Sequence, residues 1–140
     1  MFDITQIRAT ETGDIAIVDG EGNPLFDDGK PLSVTAYGPG SKVWQQADAD
    51  RRRKRVARLE KNRGKASAVI DSALEDDIDF LVRVTISFNN WTYPAPDGGE
   101  WQAKDAMFRA AYTDDSIGFI RDHVHQQVHD WGFTKGSAQS

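Results

Sequence analysis

The sequence predicts an α+β fold, in which small antiparallel β-hairpins are packed by C-terminal helices and one long charged helix crosses the middle of a single domain, residues 1–133. Three observations carry this. Apolar and polar residues alternate around Ile15 and Ile17, around Val34 and Ala36, and from Val82 to Phe88, which is the period of half-buried strands. Toward the C-terminus the spacing lengthens to three and four, the period of a helix with one buried face. Between these regions lies a segment with almost no apolar periodicity. Residues 51–65 hold nine of the seventeen Lys and Arg residues against one acid, Glu60.

Taken in order, Ile15, Ile17, Leu32, Val34 and Ala36 sit on alternate positions around a stretch rich in Gly, Asn, Asp and Pro, so an N-terminal hairpin with a long tip is expected over 14–37. The run Tyr37-Gly38-Pro39-Gly40 breaks the strand, and Ser41 stands where a helix N-cap belongs. The charged helix then runs over 42–63, with Gly64 as its stop. Its apolar residues cluster at the ends, Val43, Trp44 and Ala47 on one side and Val56, Ala57 and Leu59 on the other. Its middle therefore has to be solvated or held by a partner.

A second helix is expected over 67–79, with Ile70, Leu74 and Ile78 as its stripe and with Asp71, Glu75, Asp76, Asp77 and Asp79 as an acidic counterpart to the basic run. A hairpin over 81–93 follows, turning at Asn89-Asn90, and Pro94 and Pro96 end it. C-terminal helices fill 101–131: the first buries Ala103, Met107, Phe108 and Ala111, and the second, capped by Asp114 or Asp115, aligns Ile117, Ile120, Val124, Val128 and Trp131 on one face. Residues 134–140 form a disordered tail.

A chain of 140 residues can bury a core of its own. With no cysteine it has neither disulfides nor thiolate metal sites. The start of the chain lacks a basic region leading into an apolar core, and no apolar run approaches the roughly 20 residues that span a bilayer, so a soluble, unsecreted protein without membrane contact is expected. The whole chain carries −5; the segment 51–65 carries +8, which leaves −13 on the remainder. Two opposite fields kept in separate stretches favour binding or assembly over catalysis.

The candidate partner-binding residues are Arg51, Arg52, Arg53, Lys54, Arg55 and Arg58, with Trp44 as an aromatic anchor. An acidic protein partner, or the acidic stretch of a neighbouring copy in a homo-oligomer, matches them first. Nucleic acid is a weaker match, because the acidic remainder repels phosphate and no reader helix accompanies the run. A solvated helix face is the bland reading, and the chain's own Glu75-Asp76-Asp77 is the rival partner. If the run is an interface, replacing residues 51–55 by Gln leaves folding nearly intact.

No catalytic set emerges. His125 and His129 stand four apart on one helical face, a spacing that metals use, but no third ligand is visible and they read as surface histidines beside His123. Ser41 after Gly38-Pro39-Gly40 lacks the Lys-Ser/Thr ending of a phosphate loop. Of the tryptophans, Trp91 and Trp131 read as core. A non-enzymatic protein without cofactor or metal is the expectation.

The succession of VTAYGPGSKVWQQADADRRRKR, FLVRVTISFNNWTYP and AYTDDSIGFIRDHVHQQVHDWGF resembles small proteins encoded in the tail-morphogenesis regions of tailed bacteriophages, over most of the chain from about Ile15 to Phe133. The resemblance implies a tail assembly chaperone that binds the long tape measure protein, keeps it soluble and recruits tail tube subunits in the host cytoplasm. A permanent virion component of head, neck or tail is the alternative it leaves, and a nucleic-acid-binding accessory protein stands behind both.

Overall fold

The computed structural model describes residues 1–61 and 66–133, with the backbone alone over 66–71. A short 3₁₀ turn at Ile4–Ile7, capped by Asp3 through the Thr5 amide, precedes strand β1, Thr12–Ala16. The tip of the N-terminal hairpin holds a two-residue ribbon, β2 (Phe26–Asp27) and β3 (Lys30–Pro31). Asp28 and Gly29 join them with φ of 52° and 77°, the left-handed pair that a type I′ hairpin turn requires. Strand β4, Ser33–Tyr37, returns antiparallel to β1 with Thr12 opposite Tyr37 and Ile15 opposite Val34. Strict alternation puts Ile15, Val34 and Ala36 on the buried face.

Ser41 caps helix α1, Lys42–Lys61: its Oγ accepts from the Trp44 amide at 3.1 Å and donates to the Gly38 carbonyl at 2.9 Å. Helix α2, Ala66–Val84, runs back along α1 and passes without a loop into strand β5, Thr85–Asn89. β5 lies against the free edge of β4, giving the antiparallel order β1-β4-β5 with a bulge between Thr35 and Ala36. Helix α3 (Lys104–Thr113), a 3₁₀ turn (Asp115–Ile117) and helix α4 (Gly118–Val128) complete the fold.

The α+β class is as the sequence predicts, but the expected hairpin over 81–93 does not form. Ile78, Leu81 and Val82 also fall on helical spacing and are buried on the inner side of α2, with Thr85 buried just beyond its end. The second helix, expected to end at 79, therefore runs to Val84. Thr85 closes it by donating its hydroxyl to the Leu81 carbonyl at 2.7 Å, and it also meets the Tyr112 hydroxyl at 2.7 Å. Beyond Asn90 (φ 68°) the chain leaves the sheet. Trp91 stacks on Phe88 with centroids 3.9 Å apart and donates to the Ser33 carbonyl at 2.9 Å, while Pro94 and Pro96 lack the N–H a ladder needs.

The core joins Ile15, Ile17, Val34 and Ala36 to Phe80, Leu81 and Val84 of α2, Phe108 and Tyr112 of α3, and Val124 and Val128 of α4. Each Val, Leu, Ile or Phe among them contributes about 1.5–3 kcal/mol by leaving water. Trp131 is not among them: α4 ends at Val128, the helical phase is lost before residue 131, and the indole is 59 % exposed. Phe133 does fold back, its ring against Gly13 of β1. The predicted end of the charged helix at 63, its Gly64 stop, the side chains of Ile70 and Asp71, and the tail 134–140 lie outside the described residues.

Candidate functional site

The basic run lies on α1, and helical geometry divides it. Inward positions face α2 in antiparallel register, so the basic residues of one helix meet the acids of the other. Arg58 reaches Asp76 at 2.7 Å and the Ser72 carbonyl at 2.8 Å. Arg51 and Arg55 reach Asp77 at 3.1 and 3.3 Å, and Lys54 reaches Asp79 at 3.6 Å. Nearer the base of the hairpin the polarity reverses, with Arg83 of α2 on Asp50 of α1 at 2.6 Å. Arg83's hydrogen bond, with the charges of Arg53 and Arg83, holds the Asp50 carboxyl below its ordinary value against the opposing effect of burial. Arg109 of α3 joins at Asp79, 2.6 Å.

Arg51 is the innermost member, its side chain 12 % exposed. Nη2 donates to Asp48 at 2.7 Å and to His129 Nε2 at 2.9 Å, and Nη1 donates to Asp77 and to His125 Nε2, both at 3.1 Å. The guanidinium lies 4.6 Å from the centroid of the Phe80 ring, within cation–π range. Because an arginine can only donate, each of these contacts is a hydrogen bond while the histidine Nε2 carries no proton. For His129 the other nitrogen, Nδ1, lies 2.8 Å from the His125 carbonyl and donates to it, which assigns the neutral tautomer. Burial lowers the His129 pKa, and the charges of His125 and Arg51 add to this, outweighing the His125 carbonyl and Asp48. At Asp77 burial works upward, yet His125 and Arg51 outweigh it and the carboxyl sits below its ordinary value.

This arrangement corrects the expected surface role of His125 and His129. They are half-buried and tie α4 to the α1–α2 hairpin. His123 bonds elsewhere, with Nε2 3.1 Å from the Ala16 carbonyl on β1. Trp44, expected as an anchor for a partner, is used internally: its Nε1 donates to the Val128 carbonyl at 2.8 Å and its ring meets Phe80 and His129 edge-on. The sequence carries a signal for this, since Trp44, Ala47 and Arg51 recur at helical spacing, but nothing in it indicates which face α4 covers.

Asp76 is the most deeply buried acid, 1 % exposed. Among the described residues neither of its oxygens accepts a well-directed hydrogen bond, so the Arg58 contact is an ion pair without geometric support. One space between the two helices, lined by Ala47, Phe80 and the charged side chains of the seam, holds about 10 Å³, the lower limit for one water.

Of the seven nominated partner-binding residues, Trp44, Arg51 and Arg58 thus face inward, while Lys54 and Arg55, 51 % and 43 % exposed, reach across the rim to the acids of α2. Arg52 and Arg53 face outward, 72 % and 67 % exposed, with weak pairs to Asp48 and Asp50 on their own helix. They flank a groove of about 570 Å³ on the outer side of α1, lined by Ala49, Val56, Ala57 and Glu60. A second cleft, about 610 Å³, lies between the N-terminal turn and the end of the chain, with Ile4, Ile7, Ala9 and Trp131 as its apolar walls and Arg8 as its charge. Ile4 and Ile7 are exposed there, and Phe2 is exposed just before them in the chain. Sequence reasoning passed over this surface, although three large apolar residues among the first seven were a visible signal.

Comparison with protein-family models, curated proteins and solved structures finds no match to this chain.

Among the described residues no group of three or more His, Cys, Asp or Glu side chains is arranged to hold a metal ion. No described helix is long and apolar enough to cross a membrane. Tyr112, whose hydroxyl burial drives far above its usual pKa, bonds Thr85 inside the core.

Proposed function

We propose that this chain is a non-enzymatic assembly protein that works by docking other proteins, in the setting its resemblance implies: the morphogenesis of a bacteriophage tail, as a chaperone that binds the tape measure protein and recruits tail tube subunits. The observation that carries the docking role is the N-terminal cleft, where Ile4, Ile7 and Trp131 expose large apolar side chains around one concavity. Such side chains gathered at one place mark interaction sites. The basic run supports the reading differently from the sequence expectation. Its inward members stiffen the α1–α2 hairpin and leave Arg52 and Arg53 to steer an acidic partner.

The test combines affinity capture with particle analysis. The wild-type chain, co-expressed with the tape measure protein, retains it in the soluble fraction, and Ile4→Asp with Ile7→Asp releases it without loss of secondary structure. Mass spectrometry of mature particles finds no stoichiometric copy. Retention by the double variant would remove the cleft from the account. A stoichiometric copy in particles would replace the chaperone with the virion-component reading.

A further inference from the structure

The outward face of α1 is complementary to itself. Val56 stands at its centre, 57 % exposed, and Leu59 beside it is 51 % exposed, although the opposite face of the same helix packs on α2 and pairs with its acids. Arg52 lies four residues before Val56 and Glu60 four residues after it, each about 6 Å along the axis from that centre. Glu60 makes no ion pair among the described residues, and the pair that Arg52 makes with Asp48 is an exposed intrahelical one. The groove around Val56 is therefore bounded by a cation at one end and an anion at the other, at equal distances.

We infer that α1 pairs with α1 of a second copy of this chain, antiparallel and crossing at Val56. An antiparallel two-fold sets each residue opposite the one equally distant from the axis on the other side. Arg52 of each copy then faces Glu60 of the other, and symmetry makes the ion pair twice. Val56 meets Val56 on the axis, and the Arg53 stem covers Leu59 of the second copy. A parallel pairing would instead set Arg52 against Arg52 and Glu60 against Glu60, a repulsion that selects the antiparallel arrangement. The small side chains of Ala49 and Ala57 allow the close approach of the helices. This inference does not rest on the assembly role proposed above, because its surface is separate from the N-terminal cleft and its partner is the chain itself.

Sedimentation equilibrium with charge-swapped variants tests it. A small interface associates weakly, so the measurement is made at concentrations on the order of 100 μM. Wild type sediments as a dimer. Arg52→Glu alone and Glu60→Arg alone sediment as monomers, because each sets like charges against each other twice. An equimolar mixture of these two variants forms a heterodimer, and the double variant R52E/E60R dimerises again. Circular dichroism of each variant matches wild type, since both positions are solvent-exposed. A wild-type monomer throughout this range overturns the inference, as does dimerisation of the single variants to the wild-type extent. Failure of the mixture to associate also overturns it. A wild-type monomer that still captures the tape measure protein through Ile4 and Ile7 would sink the self-pairing alone and leave the docking role standing.

Discussion

Arg51 of α1 donates to His129, the C-cap of α4, at 2.9 Å, and the same imidazole donates its Nδ1–H to the carbonyl of His125. Protonating His129 at Nε2 would set a cation against the guanidinium and cancel the bond. The folded state therefore resists a proton that the unfolded state accepts freely.

That contact predicts a pH dependence. His129 has a folded pKa below its ordinary 6.5, so between these two values the unfolded state binds more protons and stability falls as pH falls. Asp77 acts in a lower window: its depressed pKa contributes stability above the ordinary carboxylate value of 3.8, which is lost as pH drops through the folded value. Thermal unfolding followed from pH 8 to pH 3 should show both declines. His129→Gln, which can accept from Arg51 without titrating, should flatten the decline that starts near 6.5 and keep the one below 3.8.

Arg58 and Asp76 should couple strongly. Arg58→Ala leaves a carboxylate that is 1 % exposed without its counter-ion and is expected to cost about 2–4 kcal/mol in urea unfolding. Because the Asp76 oxygens accept no other well-directed hydrogen bond among the described residues, Arg58→Ala combined with Asp76→Leu should recover most of that loss. Additive losses in the double variant would contradict the pairing.

The two tryptophans at the ends of the fold should behave oppositely to their sequence reading. Trp44→Ala removes a ring packed on Phe80 and His129, and a donor to Val128, at a cost of about 3–5 kcal/mol. Trp131→Ala removes a mostly exposed ring and should cost less than about 1 kcal/mol.

At Gly13 an added methyl would lie 2.7 Å from the Phe133 ring carbons. Gly13→Ala should displace Phe133 from β1 at a cost of about 1–3 kcal/mol. Near-ultraviolet circular dichroism would change with little change in the far ultraviolet.

Much of this was legible in the sequence. The β1–β4 pairing followed from alternation and the start of α1 from Ser41, whereas Asp114, expected as a cap of the last helix, caps the 3₁₀ turn before it and accepts from the Ser116 amide at 2.9 Å. What misled was ambiguity over short spans. Leu81 to Val84 satisfies both the strand and the helix period, and only burial against α3 and the sheet decides between them. The basic run misled for another reason. A row of charges reveals that a partner is needed, but whether the partner is foreign or the next helix depends on the antiparallel register, which no local spacing encodes. The histidines were misread because their role is to accept from an arginine 74 and 78 residues away.

The central claim is that α1's basic run is split, with its inward members held by the chain's own acids. Urea unfolding of two Gln variants tests it most directly: Arg51, Lys54, Arg55 and Arg58 replaced together, against Arg52 and Arg53 replaced together. The inward set should lose several kcal/mol, about 3 or more, because it strips the counter-ions from Asp76 and Asp77. The outward pair should stay within about 1 kcal/mol of wild type. Equal, small losses in both would contradict the internal seam and return the whole run to solvent or to a foreign partner.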